Sequence, residues 1–492
     1  MTTRYTRRRF MATSAASMAA LSLPVVLRAQ TAAPQHLLRA ASRVLDIGGR
    51  AAHVFGLENA RGGQGLILDP GERFSVRLEN ALDIETMIHW HGQIPPNDQD
   101  GVPDAPMPAL RPGEARDYDF APLAGTHWMH SHMPVQEMQL LAAPLIVRSD
   151  EDLAEDRQEV VLILQDFSFT SPDELMANID HGPGHGAMDH GAMGGGMMSR
   201  MMGGDHGGMA GMNGMEMDLN DIDFDAYLAN DRTLSDPEIV RVERGGRVKL
   251  RIINAASATV FWIDTGGIEG RLVAVDGHAV EPLSGRRFGF AMGQRLDIEL
   301  DLPAEEGAWP ILALREGERE RTGIILATPS AQVSHVAELG DEAAPAFDYD
   351  LAQEASLQAA DAMPQRAKAH SEMVMLGGTM SPYRWTINDR IWGEHVPIQV
   401  RSGGRVELMF HNMSMMAHPM HLHGHVFQVV GIGGPGIGMR RINGAMRDTV
   451  HIPPMSMVTI AFDAGEAARW MLHCHHMPHL ITGMMTELVV SA

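Results

Sequence analysis

Three ten-residue stretches of this chain alternate apolar and polar side chains in the same way. Gly71-Glu72-Arg73-Phe74-Ser75-Val76-Arg77-Leu78-Glu79-Asn80 is matched by Gly245-Gly246-Arg247-Val248-Lys249-Leu250-Arg251-Ile252-Ile253-Asn254 and by Gly403-Gly404-Arg405-Val406-Glu407-Leu408-Met409-Phe410-His411-Asn412. An apolar residue at every second position is the pattern of a half-buried strand, and each copy ends in a turn. The copies stand well over a hundred residues apart, a spacing of domains rather than of a solenoid. Strand alternation with Gly and Pro turns continues throughout, which predicts an all-β chain of three Greek-key β-sandwich domains. Their expected extents are 34–152, 158–330 and 371–492, with an Ala/Glu/Asp-rich connector at 331–370.

Two segments depart from that pattern. Residues 181–217 hold ten of the chain's 37 methionines, four histidines, many glycines and no aromatic residue. Such a stretch cannot bury a core, so it is expected as a surface insertion within domain two. Thioethers suit Cu(I), which makes soft-metal capture its functional reading; a tolerated Gly/Met loop is the plainer one. At the other departure, Thr6-Arg7-Arg8-Arg9-Phe10-Met11 precedes a mildly apolar Ala/Ser stretch that ends at Leu27-Arg28-Ala29. This predicts a twin-arginine signal over 1–29, read by the export machinery for folded proteins, and a bacterial periplasmic location. The stretch is too short and polar to span a bilayer, and no other segment is long and apolar enough, so no stable membrane insertion is expected.

A length of 492 residues exceeds what one hydrophobic core serves, in keeping with several domains. The formal net charge of -23 argues against nucleic acid as a partner and draws cations to the surface. A monomer is the expected state.

Candidate chemistry begins with Cys474, the only cysteine. It cannot form an intramolecular disulfide, which leaves packing, thiol chemistry or metal ligation. It lies in His473-Cys474-His475, with His479 five residues on and Met484 five beyond that. Thiolate, imidazole and a weak thioether are the ligand types of a blue copper centre. His-x-His units recur at 89/91, 130/132, 421/423 and 473/475, two in domain one and two in domain three. On a strand, residues i and i+2 share a face, so each unit aims two imidazoles at one place. Eight imidazoles exceed the needs of one ion and suit a cluster of about three coppers. A single histidine is more often a hydrogen-bonded core residue, but four alternating pairs beside the sole cysteine are not explained that way. His425, His476 and His411 break the pairing and are left outside the ligand set.

The repeat shows which domains carry ligands. Nine residues beyond the closing Asn stand His89, Ile263 and His421; two further on stand His91, Thr265 and His423. The middle domain therefore lacks them. Aligning Trp128-Met129-His130-Ser131-His132 with Met471-Leu472-His473-Cys474-His475 sets Ser131 against Cys474, Gln136 against His479 and Leu141 against Met484. Only domain three can hold a blue copper ion.

With His89-Trp90-His91-Gly92, His130-Ser131-His132, His418-Pro419-Met420-His421-Leu422-His423-Gly424 and His473-Cys474-His475 in this order, the chain resembles the three-domain multicopper oxidases. These include laccases and the bacterial periplasmic cuprous oxidases of copper tolerance. The resemblance implies three cupredoxin domains, four copper ions, and reduction of O2 to two waters by four electrons delivered singly. Carried over by residue, type 1 copper takes His418, Cys474, His479 and Met484. Type 2 copper takes His89 and His421. The two type 3 coppers take His91, His130, His132, His423, His473 and His475. Asp100, followed by Gly101, matches a family acid thought to help deliver protons; a turn aspartate in Asn97-Asp98-Gln99-Asp100-Gly101 is the alternative. Leu480, directly after His479, departs from the acidic residue that many relatives have there. Met484 as axial ligand implies a moderate potential.

The reductant is the open question. Met413, Met415 and Met416 precede His418, the type 1 ligand usually nearest the surface in this family. With the 181–217 insertion they suggest Cu(I) as substrate, although relatives of this kind often carry the Met-rich segment in domain three. A laccase-like oxidase of phenols or aromatic amines is the alternative, and a non-catalytic copper-sequestering protein the second. Nitrite reductase chemistry is disfavoured by three repeats and eight cluster histidines.

Overall fold

A computed structural model describes residues 34–180 and 219–492. The 1–29 signal and the 181–217 insertion lie outside the described residues. Each repeat copy forms a strand, Phe74–Asn80, Arg247–Asn254 and Arg405–Asn412. Each strand runs parallel to the first long strand of its domain and antiparallel to a later one. The alternation decides burial: Phe74, Val76 and Leu78, then Val248, Leu250 and Ile252, then Val406, Leu408 and Phe410 each face a separate hydrophobic core. Full burial of such a side chain stabilises by roughly 1.5–3 kcal/mol.

The three expected sandwiches are present as pairs of sheets. In the first, Arg50–Asn59, His36–Ile47, Phe74–Asn80 and Ala115–Phe120 oppose a sheet of Leu66–Leu68, Ala142–Val147, Gly125–Ser131 and Ile88–His91. In the third, the sheet opposite Arg405–Asn412 runs Ile398–Arg401, Met485–Ser491, Arg469–Cys474, His418–Leu422 and Thr449–Ile452. The second has a six-stranded and a five-stranded sheet.

The Asn that closes each repeat does the same work three times. Asn80 donates to Ile84 O and Leu110 O, and accepts from Leu82 N. Asn254 donates to Thr259 O and Phe290 O, and accepts from Ala256 N. Asn412 donates to Met416 O, Ile452 O and Pro453 O, and accepts from Ser414 N. A buried amide thus satisfies the backbone of a loop that no sheet covers and sets where the next strand begins. That next strand is Ile88–His91, Phe261–Asp264 or His418–Leu422.

The 331–370 segment is a packed wedge. Phe347 stands edge-on to Trp262 of the second sandwich and lies 4.8 Å from the His451 ring of the third. Glu354, in the short helix Ala352–Ser356, pairs with the buried Arg447, which also binds Asp276. Among the described residues no helix is long and apolar enough to cross a membrane.

Beside this wedge, burial pushes the Glu316 carboxyl from its ordinary 4.5 up to about 7, with the Phe347 N–H pulling the other way. Below about pH 4.5 both folded and unfolded chains hold this proton; between the two values only the folded chain does, so Glu316 erodes stability as pH rises and does so fully above pH 7. Glu316→Gln should therefore leave the denaturant midpoint unchanged near pH 4.5 and raise stability by roughly 2–3 kcal/mol at pH 8. A midpoint difference independent of pH would contradict this.

Candidate metal centres

In the third sandwich, His418 opens one strand and Cys474 closes its neighbour, where Met420 stands opposite Cys474. His479 lies in the helix Met477–Ile481 that follows, and Cys474 N–H donates to Met484 O at 3.1 Å, folding the loop back on the cysteine. His418 Nδ1 and His479 Nδ1 are 3.1 Å apart; Cys474 Sγ is 3.8 Å from the first and 3.6 Å from the second. Met484 is fully buried alongside them. Burial pushes the Cys474 thiol well up and both imidazoles well down. Neutral imidazoles are ready ligands, and a thiolate here needs a cation beside it.

The family resemblance puts His418 near the surface, yet His418 and His479 are both fully buried. Trp385 lies 4.1 Å from the His479 ring and 5.1 Å from that of His418, and Ser414 Oγ is 2.9 Å from His418 Nε2. On the other side Asp221 Oδ2 stands 3.4 Å from His479 Nε2 and accepts from Tyr383 OH. Of the three methionines before His418, Met413 and Met415 are exposed and Met416 is buried against the core.

The eight paired histidines converge between the first and third sandwiches. His89 pairs across strands with His130, and His421 with His473. The strand-face argument holds fully only for His89 and His91. His132, His423 and His475 lie just past the ends of their strands and reach the cluster from turns. The glycines after the His-x-His strands explain themselves: Gly92 and Gly424 have φ of +87° and +65°, and a Cβ on Gly92 would meet His127 and Arg295, one on Gly424 the Trp470 ring.

Three groupings emerge. His89 Nε2 and His421 Nε2 are 3.3 Å apart. His132, His423 and His473 bring one nitrogen each within 4.8 Å of one another. His91 Nδ1 lies 3.4 Å from His130 Nε2, with the His475 ring centred 5.0 Å from each of their rings. Nε2 of His132 and of His475 is buried with no hydrogen-bond partner among the described residues. Orphaned imidazole nitrogens facing one space, beside a thiol with two more imidazoles, fit copper as the bound metal.

Acceptors hold the opposite ring nitrogens. His89 Nδ1 meets Asp100 O at 2.8 Å, and His423 Nδ1 meets the Asp100 carboxylate at 2.8 Å. His91 Nε2 meets Asp448 Oδ1 at 3.0 Å, and His421 Nδ1 meets Asp448 O at 2.9 Å. His130 Nδ1 meets Ser131 O at 3.1 Å and lies 2.7 Å from Glu137 Oε2. Asp100 follows a single 3₁₀ turn, Asn97–Gln99, so it is both a turn aspartate and a buried partner of cluster histidines. His425 is held by His423 O and Gly465 N, away from the cluster. His476 stacks on His479 at 3.9 Å.

Asp448, Glu137 and Asp221 escaped sequence reasoning. Asp448 has no motif around it, and its partner Arg295 comes from the second sandwich. Burial raises the Asp448 carboxyl, but the Arg295 guanidinium, together with His91 and His421, outweighs it and holds the group well below the usual carboxylate range. Arg295 is fully buried, donates to Asp448 Oδ1 at 2.7 Å and to Thr126 O at 3.1 Å, and so joins all three sandwiches.

Multicopper oxidase family profiles match residues 41–152, 159–331 and 365–492. The chain is 30% identical over 453 residues to Multicopper oxidase MmcO of Mycobacterium tuberculosis, covering 90% of this chain and 84% of that one. It is 22% identical to Copper resistance protein A of Escherichia coli, covering 96% and 94%. A multi-copper oxidase structure from Pseudomonas thermotolerans superposes with a TM-score of 0.67 at 24% identity, covering 92% of this chain and 98% of that one.

Removing Arg295 strands a buried carboxylate between the sandwiches. Arg295→Met should destabilise the protein by roughly 3–5 kcal/mol, read as a lower denaturant midpoint. Arg295→Lys should recover only part, because an ammonium cannot reproduce the fork that binds Asp448 and Thr126 together. An unchanged midpoint in Arg295→Met would refute this account.

Proposed function

The chain belongs to the multicopper oxidase family, and from that premise we propose that it is a cuprous oxidase of copper tolerance working in the bacterial periplasm. As a family member it is an oxidoreductase that uses oxygen. The reaction we assign is 4 Cu(I) + O2 + 4 H⁺ → 4 Cu(II) + 2 H2O. His418, Cys474, His479 and Met484 would hold a type 1 copper; His89 and His421 a type 2 copper; His91, His130, His132, His423, His473 and His475 the type 3 pair. Copper so bound supplies one-electron redox chemistry at the thiolate and the site of O2 reduction between the sandwiches.

The chain's own residues do the rest. Cys474 is covalently continuous with His473 and His475, so bonded atoms join the two donor sets. Asp100 touches histidines of the proposed type 2 and type 3 sites, which supports a role in holding or delivering protons there. Full burial of all donors but the half-buried His132 keeps bulk water from the donor sets.

One observation carries the choice of Cu(I). Both described flanks of the Met-rich segment join the hydrophobic core of the third sandwich: Ile179 before it and Ile222 after it belong to the cluster that also contains Met416, Cys474 and Met484. Asp221, a few residues past the segment, reaches His479. An insertion in the second sandwich is thereby anchored on the third. Exposed Met413 and Met415 add soft ligands beside Ser414, the hydroxyl on His418. The name of one relative, Copper resistance protein A, accords with this reading. A laccase-like activity toward phenols is the alternative, since outer-sphere electron transfer needs only a donor near the type 1 site. A copper-sequestering protein without turnover is disfavoured by the undiminished donor set.

Oxygen uptake by copper-loaded protein, with Cu(I) and a phenol as donors at matched concentration, tests the proposal. Cu(I) should be the faster donor, and removal of 181–217 should lower its rate several-fold while sparing the phenol. Faster phenol oxidation would make the protein a laccase instead, and a Cu(I) rate untouched by the deletion would overturn the role given to the Met-rich segment.

A further inference from the structure

Glu137 is an acid at the interdomain cluster that no motif announces, and the internal repeat explains its origin. With His130 set against His473, Gln136 falls opposite His479 and Glu137 opposite Leu480. The first sandwich has no thiolate site, and its version of the following helical turn, Pro134–Glu137, is free for another use. Gln136, in the place of a ligand, is pinned instead: its Oε1 accepts from Thr86 and Ser131 at 2.7 and 2.8 Å, and its Nε2 donates to Glu85 O at 2.7 Å. The turn is therefore rigid, and the Glu137 carboxylate beside it is only 3% exposed.

Its two oxygens face imidazoles from two sandwiches. Oε2 lies 2.7 Å from His130 Nδ1, which also meets Ser131 O at 3.1 Å, and Oε1 lies 3.6 Å from His475 Nδ1. Glu137 Oε1 and His475 Nδ1 are both buried without a hydrogen-bond partner among the described residues. These two orphaned buried polar atoms stand 3.6 Å apart, beyond hydrogen-bond length, and an approach of a few tenths of an ångström would join them as donor and acceptor. His130 and His475 also share a grouping with His91, the set that would serve one type 3 copper.

We propose that Glu137 is a positioning residue that accepts the Nδ1–H of His475 and shares that of His130 with Ser131 O, and thereby turns their Nε2 atoms toward one type 3 copper. The role is that of a carboxylate behind a metal-bound histidine, here shared between histidines of two domains. It rests on the assignment of these histidines as type 3 ligands. Two N–H donors require two acceptors. Glutamine has the same shape but offers one acceptor and one donor, so Glu137→Gln sets an N–H against an N–H at one imidazole. Aspartate keeps both acceptors on a stem shorter by one methylene.

The test is copper titration of wild type, Glu137→Gln and Glu137→Asp, read by copper per chain, the type 1 blue absorption, and the EPR silence of the coupled type 3 pair. Glu137→Gln should keep its blue absorption while cluster copper affinity falls about 10- to 100-fold and EPR silence is lost. Glu137→Asp should recover part of both. A Glu137→Gln protein with wild-type affinity and a silent pair overturns the inference. So does loss of blue absorption in step with the cluster, which would make Glu137 a general structural residue. A wild type that itself shows no coupled pair overturns the ligand assignment, and this inference with it.

Discussion

Burying many imidazoles at one interface costs least where each ring's second nitrogen has an acceptor, and that demand organises this molecule. A neutral imidazole has one N–H and one lone pair; aiming the lone pair at a common centre leaves the N–H to be satisfied in a place without water. Three acids answer it, each serving one histidine of the first sandwich and one of the third. Asp100 serves His89 and His423, Asp448 serves His91 and His421, and Glu137 stands against His130 and His475. The acceptors are thus also what registers the two domains against each other. A shift of about 1 Å between them would break hydrogen bonds whose loss costs roughly 1–3 kcal/mol each in a buried site.

The middle sandwich shows how a repeat without ligands remains indispensable. Its counterpart of His89 is Ile263, fully buried in its own core, so it gives nothing directly to the cluster. It contributes charge and wall instead. Arg295 holds Asp448 ionised beside His91, and Gly293, with φ of +80°, lets the backbone approach the rings, where a Cβ would fall 2.9 Å from His475 and 3.3 Å from His91. The Asn that closes the repeat strand is retained in all three copies with the same hydrogen bonds. The scaffold was therefore kept where the ligands were not.

What was legible in the sequence had short-range causes. Alternation in Phe74–Leu78 and its copies reported burial because a strand's side chains point to opposite faces. The sole cysteine and the His-x-His units pointed to metal donors because few other chemistries need those types at that spacing, and the structure brings these side chains together. Glu137, Asp448, Arg295 and Asp221 were illegible for the opposite reason. Each acts on a residue from another sandwich, and nothing local distinguishes it from a solvated surface charge. Glu137 left one faint trace, its repeat position opposite Leu480. Met416 differs from its neighbours in a way the sequence does not show: three methionines within four residues look alike, yet the loop pinned by Asn412 turns one inward and two outward.

Burial of the proposed type 1 donors bears on which reductant the site can meet. Among the described residues neither His418 nor His479 presents a ring edge to solvent, so an aromatic donor has no imidazole to lie against. What the surface does present nearby is thioether: Met413 and Met415 are 56% and 44% exposed, on the loop whose Ser414 contacts His418. Thioethers are soft, uncharged ligands that favour Cu(I) over harder cations. Behind His479 stands Asp221, a buried carboxylate that attracts a cation and repels a phenolate. Buried imidazoles, exposed thioethers on the adjacent loop and a carboxylate beside His479 together support the proposal of a metal ion rather than an organic molecule as the electron donor.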